Sequence, residues 1–223
     1  MSGLNSDIFT FFKALKENNN REWFAPQKKR FKALEAEVKD FGARVQHTLG
    51  TTEHIDSYKL FRIYRDVRFS KDKTPFKTHF GMSFHRQKPE HRGGYYLHLA
   101  PGDNFLAAGF WNPDKNDLLR IRKELEFDAK SFREVQSHPK VQQYWGDVQG
   151  EALKTAPKGF SKEHPDIDLL RLKQYLFIHK LDDAQVLAPD FEAHVTQAFT
   201  AIRPVFDFFS QVLTTNLNGE SIL

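Results

Sequence analysis

The stretch Phe61–Lys77, FRIYRDVRFSKDKTPFK, sets Arg62, Arg65 and Arg68 three residues apart and follows them with Lys73 and Lys77. Guanidinium groups present planar forks of N–H donors that match phosphate or carboxylate oxygens, and lysines add mobile point charges. Asp66 and Asp72 sit between the bases as internal braces, with Asp66 also a candidate acid or base. From Lys59 to Arg92 there are ten Lys/Arg and three Asp/Glu, a local balance of +7; the rest of the chain carries −3. An exposed ion pair contributes only about 0–1 kcal/mol, so stability is a weak reason to gather these cations. A concentrated excess points to an anionic partner.

The second constellation depends on alternation. THFGMSFHR, YYLHLA and FLAAGFW alternate apolar and polar residues and read as three antiparallel strands in a meander. Pairing Phe84 with Tyr95, Met82 with Leu97 and Phe80 with Leu99 puts the apolar residues on one face. In the next hairpin, Leu99 pairs with Leu106, Leu97 with Ala108 and Tyr95 with Phe110. The other face then carries His79, Gly81, Ser83, His85, Tyr96, His98, Ala107, Gly109 and Trp111. Imidazoles and aromatic rings with bulk removed at two glycines are a reasonable cradle for a ligand. The plainer alternative is that helices cover this face too.

These strands need positioning elements. Ser6 is a candidate cap for a helix carrying Ile8, Phe11, Phe12 and Leu15. The stripe Phe31, Leu34, Val38, Phe41, Val45 and Leu49 predicts a longer helix ending at Gly50. KLFRIY reads as a strand, Asn112 and Pro113 as a helix start, and Asp128 as a further cap. KQYLFIHKL is strand-like, and the spacing from Phe191 to Leu213 is helical with a break near Pro204. The sequence predicts one α+β domain over residues 1–223, its antiparallel meander packed by N- and C-terminal helices.

Several chemistries have no support. The chain has no cysteine, which removes thiolate nucleophiles, disulfides and cysteine-ligated metals. The histidines lack the spacing of common metal sites, so no metal is assigned, and no cofactor is indicated. Ser83 lies near histidines without a GxSxG elbow, and the GxGxxG and GxxxxGK[ST] motifs are absent. No apolar run reaches membrane-spanning length, and the N-terminus reads as a helix rather than an export signal. A cytoplasmic protein without a membrane partner is expected. Oligomeric state is not indicated.

Four stretches together carry a family resemblance: NNNREWF, FRIYRDVRFSKDKTPFKTHFG, GGYYLHLAPGDNFLAAGFW and HPDIDLLRLKQY. They resemble the domain of unknown function 2461 family of bacteria and fungi, over nearly the whole chain. In the string RDVRFSKDKTPFK the one departure is Phe76, where the resemblance leads one to expect Tyr. The resemblance implies a compact domain and brings no reaction, cofactor or catalytic residue. It draws in Arg21, Glu22 and Trp23, which places this helix start beside the basic segment as an expectation.

The reading that fits best is a protein binding a small anionic ligand bearing phosphate or carboxylate. Arg62, Arg65, Arg68, Lys73 and Lys77 supply charge beside a face of Ser83, His85, Tyr96, His98 and Trp111. No residue set compels an enzyme; His85 or His98 is the acid or base if it is one. The same residues also fit a nucleic-acid binder, with aromatic rings for stacking. A third reading is an interaction module whose charged loop is internally ion-paired.

Overall fold

The packing of apolar stripes explains the order of elements in the computed structural model, which describes residues 3–223. Helices α1 (Asp7–Glu17) and α2 (Arg21–Gly50) come first. Ser6 is not a side-chain cap; Asn5 Oδ1 accepts from the Asp7 N–H at 2.9 Å instead. Helix α2 begins ten residues before its predicted stripe, because Asn20 caps it by accepting from the Trp23 N–H and Phe24 extends the buried stripe back from Phe31.

Strand β1 is Ile55–Leu60 rather than the expected KLFRIY. The Phe61 N–H still donates to the Gly81 carbonyl, after which the chain leaves the sheet as a narrow hairpin. Ile63 and Phe76 are buried there, Phe76 against Phe24 at the start of α2, which removes them from the sheet's alternation. Strands β2 (Phe80–Arg86), β3 (Gly94–Leu99), β4 (Asn104–Phe110) and β5 (Tyr175–Leu181) complete a five-stranded antiparallel sheet in chain order. The β2–β3 register is the expected one, Phe84 opposite Tyr95 and Met82 opposite Leu97.

The next hairpin slips by two residues. Leu97 faces Leu106 and Tyr95 faces Ala108. A tight turn at Ala100–Asp103 is responsible: Asp103 N–H donates to the Ala100 carbonyl, and buried Asn104 accepts from the Ala100 N–H. A two-residue slip leaves every side chain on its predicted face but brings Phe105 into the sheet opposite His98.

Between β4 and β5 lie α3 (Lys115–Gln136), α4 (Pro139–Tyr144) and α5 (Ile167–Leu170). Asp114, not Asn112, caps α3. Asp128 breaks helical geometry inside α3 and accepts from the Ser131 N–H, restarting the helix as a cap would. Helices α6 (Asp183–Leu187), α7 (Phe191–Ala201) and α8 (Arg203–Thr214) close the chain, with the break at Ile202 and Pro204 where proline requires it. The architecture is α+β. Phe12 and Phe31 meet Phe80, and Phe199 and Phe206 meet Tyr95, so the helices pack on the apolar sheet face. Each buried phenylalanine contributes about 1.5–3 kcal/mol.

One buried polar cluster locks α2, the sheet and α8 together. Glu53 is fully buried and accepts from the Tyr95 hydroxyl at 2.9 Å. The buried Arg86 guanidinium donates to the carbonyls of Glu53 and Arg92 and lies over the Phe206 ring. Burial pushes the Glu53 carboxyl above its ordinary value, against the Tyr95 hydrogen bond and nearby arginines. Glu53→Ala leaves the Tyr95 hydroxyl unpaired and is expected to cost about 2–4 kcal/mol in urea unfolding. Because the folded-state value is raised, this group's contribution is full below the ordinary glutamate range and is lost as pH rises through the folded value. Glu53→Gln should flatten that part of the stability–pH profile.

Candidate functional site

The hairpin after β1 braces itself. The Arg65 N–H donates to the Pro75 carbonyl and the Lys77 N–H to the Ile63 carbonyl, closing the base. The Arg65 side chain pairs with Asp72 and also donates to the Thr74 carbonyl. Asp72 accepts from the Thr74 N–H at 2.9 Å; that bond, with Arg65 second, pulls its carboxyl down to about 2. Arg68 is held by Asp66 at 2.7 Å, and Lys73 donates to the Val67 carbonyl at 3.0 Å. Arg65, Arg68 and Lys73 are therefore structural braces, and Asp66, itself exposed, is committed to Arg68.

The start of α2 does pack beside this hairpin, through neighbours of the expected residues. Asn19 exchanges two hydrogen bonds with the Phe76 backbone, and Phe24 stacks on Phe76 at 4.2 Å. Trp23 turns inward toward Phe11.

The ion pairs leave Lys59, Arg62 and Lys77 with no acidic partner among the described residues. Both lysines sit over Phe61, their ammonium groups 5.6 and 5.4 Å from the ring centre. Partial burial, then the charges of Arg62 and Lys59, pulls Lys77 below its ordinary value. This is a knot of positive charge offset only in part, by Asp66 acting on Arg62, and an anion between these groups would relieve their repulsion.

Beside it lies the sheet face turned away from the helices. Its rings form a continuous half-buried platform. Phe61 lies 6.3 Å from Tyr96, the Tyr96 hydroxyl meets His98 Nδ1 at 3.1 Å, and His98 stacks on Phe105 at 4.7 Å. His79 lies against the outer side of His98 at 4.2 Å. At the far margin Lys180 covers Phe105 and pairs with Asp103. Gly81 does not leave space for a ligand: a Cβ there would meet the Tyr96 hydroxyl at 2.5 Å, so the Tyr96 ring already fills it. Gly109, with φ of +133°, is required by the Tyr175 carbonyl, which a Cβ would strike at 2.1 Å.

The expected cradle is thus divided. Tyr96 and His98 are together, and Ser83 faces Tyr96 across the strands. His85 pairs with Gly94, about 13 Å along the strand from His98, and is bonded to Ser83 Oγ at 2.9 Å. That is a nucleophile–base distance, but no acid bonds the His85 ring among the described residues. Trp111 lies beyond the far end of β4, about 20 Å from Phe105, and is 71% exposed. The residues missed from sequence are Lys59, Phe61, Phe105 and Lys180. Phe105 follows directly on the PGDN turn, and a tighter turn is the one signal that reaches it. Among the described residues no group of three or more His, Asp or Glu has metal-binding geometry, and no helix is long and apolar enough to cross a membrane.

An α+β sheet with one bare, ring-lined face and a self-braced basic hairpin is the class of structure on view. The chain belongs to the family described as conserved hypothetical protein (DUF2461), whose model matches residues 7–208 and so includes both features. No curated protein and no solved structure matches the chain.

Burial, reinforced by His98 and Lys77, pulls the His79 imidazole down to about 4. A histidine with a depressed folded value contributes stability above its ordinary value near 6.5 and loses it as pH falls through the folded value. The melting temperature should therefore fall between about pH 6.5 and 4, less steeply in His79→Gln. An NMR titration placing the His79 ring at its ordinary value would contradict this packing.

Proposed function

We propose that this protein binds an anion carrying a flat ring, with the charge held by Lys59, Arg62 and Lys77 and the ring set against the adjoining Phe61 and Tyr96. The observation that carries the reading is the cluster of three cations that make no ion pair among the described residues, its two lysines set over Phe61. Ring faces next to guanidinium and ammonium groups favour a ligand that combines aromatic surface with phosphate or carboxylate. Arg65, Arg68 and Lys73 contribute by shaping the hairpin. The reading is of binding; among the described residues no third group bonds His85 to orient the imidazole for acyl transfer from Ser83.

Isothermal titration with nucleoside monophosphates, aromatic carboxylates and inorganic phosphate tests it. Wild type is expected to bind ring-bearing anions more tightly than phosphate alone. Lys59→Ala/Lys77→Ala should weaken binding at least about tenfold, while Arg68→Ala stays within about twofold. Equal affinity of wild type and the double variant would overturn the reading.

A further inference from the structure

An open sheet has two edges, and each presents backbone N–H and C=O groups that the sheet itself does not pair. Here the edges are β1 and β5. At β5 the chain covers part of its own edge: the Gln149 N–H donates to the Leu176 carbonyl at 2.7 Å and the Leu176 N–H donates back at 2.8 Å. At β1 no segment lies alongside in this way among the described residues.

The ladder tells which β1 groups point outward. The Phe61 N–H donates to the Gly81 carbonyl, and bonding alternates along an antiparallel pair, so Ser57 and Lys59 also turn their backbone groups toward β2. Tyr58 and Leu60 turn theirs away from the sheet. Their two N–H and two C=O groups have no hydrogen-bond partner among the described residues. At the Asp56 end the Gln46 side-chain amide donates to the outward carbonyl at 3.4 Å.

The two sides of this edge differ in chemistry. Tyr58 and Leu60 face α2, and the Tyr58 hydroxyl donates to the Lys39 carbonyl there. Between helix and edge runs an open groove of about 520 Å³, lined by Ala36, Tyr58 and Leu60 with Lys32, Glu35 and Lys39. Lys59 points to the other side, its ammonium over Phe61. Lys32 pairs with Glu35, whereas Lys39 and Lys59 make no ion pair among the described residues. A strand added here sets one alternate row of side chains in the groove, on Ala36, Tyr58 and Leu60, and the other row beside Lys59. Apolar residues suit the first row, and an acidic residue opposite Lys59 makes a cross-strand ion pair.

A second copy of this chain lacks that complementarity. Pairing about a two-fold axis sets residues of like parity opposite each other, so Lys59 meets Ile55, Ser57 or the second Lys59, and never Asp56. The charge calls for a different chain.

We propose that the open edge of β1 binds an extended peptide in which apolar and acidic residues alternate. The peptide adds a strand to the sheet, its backbone bonded to Tyr58 and Leu60 and a carboxylate opposite Lys59. This site shares Lys59 with the anion cluster and otherwise stands on backbone groups outside it, so each reading can fail without the other.

The test is fluorescence anisotropy on the full chain with a labelled octapeptide of alternating valine and glutamate, and with its valine–lysine counterpart. The acidic peptide is expected to bind at least about tenfold more tightly than the basic one, and Lys59→Glu should reverse that order. Leu60→Pro removes one outward N–H and spares the β1–β2 ladder, at the kind of edge position that accepts proline. It should weaken binding about five- to tenfold. Thermal melts of both variants separate lost binding from lost folding. The peptide also supplies a test that needs no variant. Amides of a bound strand alternate between facing β1 and facing solvent, so N-methylation of one alternate set of residues should abolish binding and methylation of the other should spare it. The sensitive set is valine for antiparallel addition and glutamate for parallel addition.

Equal loss from methylating either set, or loss from neither, would overturn strand addition. Equal affinity for the acidic and basic peptides would overturn the assignment of the partner's charge. A dimer in light scattering that Leu60→Pro converts to a monomer would assign the edge to a second copy instead.

Discussion

The contact of Phe80, Phe84 and Tyr95 with rings from α1, α2, α7 and α8 governs the rest of the molecule. Side chains alternate across a strand, so burying these residues under helices sends Gly81, Ser83, Tyr96 and His98 to the other side without further choice. A slip of one residue would exchange the two faces and expose the core, at a cost far above the few kcal/mol by which a domain is stable. The slip of two in the β3–β4 hairpin costs nothing of that kind. It keeps parity and changes only which residues meet, which is how Phe105 comes to lie against His98.

Charge on the basic segment is divided by geometry into two kinds. At the hairpin tip each acid is close to a base in sequence, and short loops let Arg65 reach Asp72 and Arg68 reach Asp66. These groups fix the shape of the hairpin. At its base the chain passes the sheet edge, and Lys59 and Lys77 gather over Phe61 near Arg62, none of the three in an ion pair among the described residues. Repulsion among like charges is tolerated in a folded protein when something else stabilises the arrangement. Here the buried Ile63 and Phe76, with Phe24 stacked on Phe76, hold the hairpin base in place.

The platform rings stay neutral for a related reason. Burial pulls the imidazoles of His79 and His98 below their ordinary values, so near neutral pH they are uncharged rings packed against each other and against Phe105. Charge on this side of the sheet thus resides in the lysines and Arg62 at the margins. Neutral rings in the middle and the unpaired cations at the β1 edge keep the positive charge of this side in one place.

The α+β class, the helix-packed face and the opposite polar face were legible from period-two and helical spacing, because those patterns act locally and are enforced by burial. So were the β2–β3 register, the break before Pro204 and the bracing role of the two aspartates, which are neighbours of their partners in the chain. Local pattern did not reach the end of β1, where Phe61 and Ile63 alternate as a strand does but Ile63 is buried in the hairpin that leaves the sheet. Nor did it reach the meeting of His98 with Phe105, the filling of the Gly81 gap by Tyr96, or the separation of Trp111 and His85 from the other rings. Those depend on turn geometry and on how far apart strand ends lie, which are properties of the assembled sheet. Which cations lack a partner is of the same kind: each pairing is a distance in space, and residues as far apart as Lys59 and Lys77 are brought together only when the chain has folded.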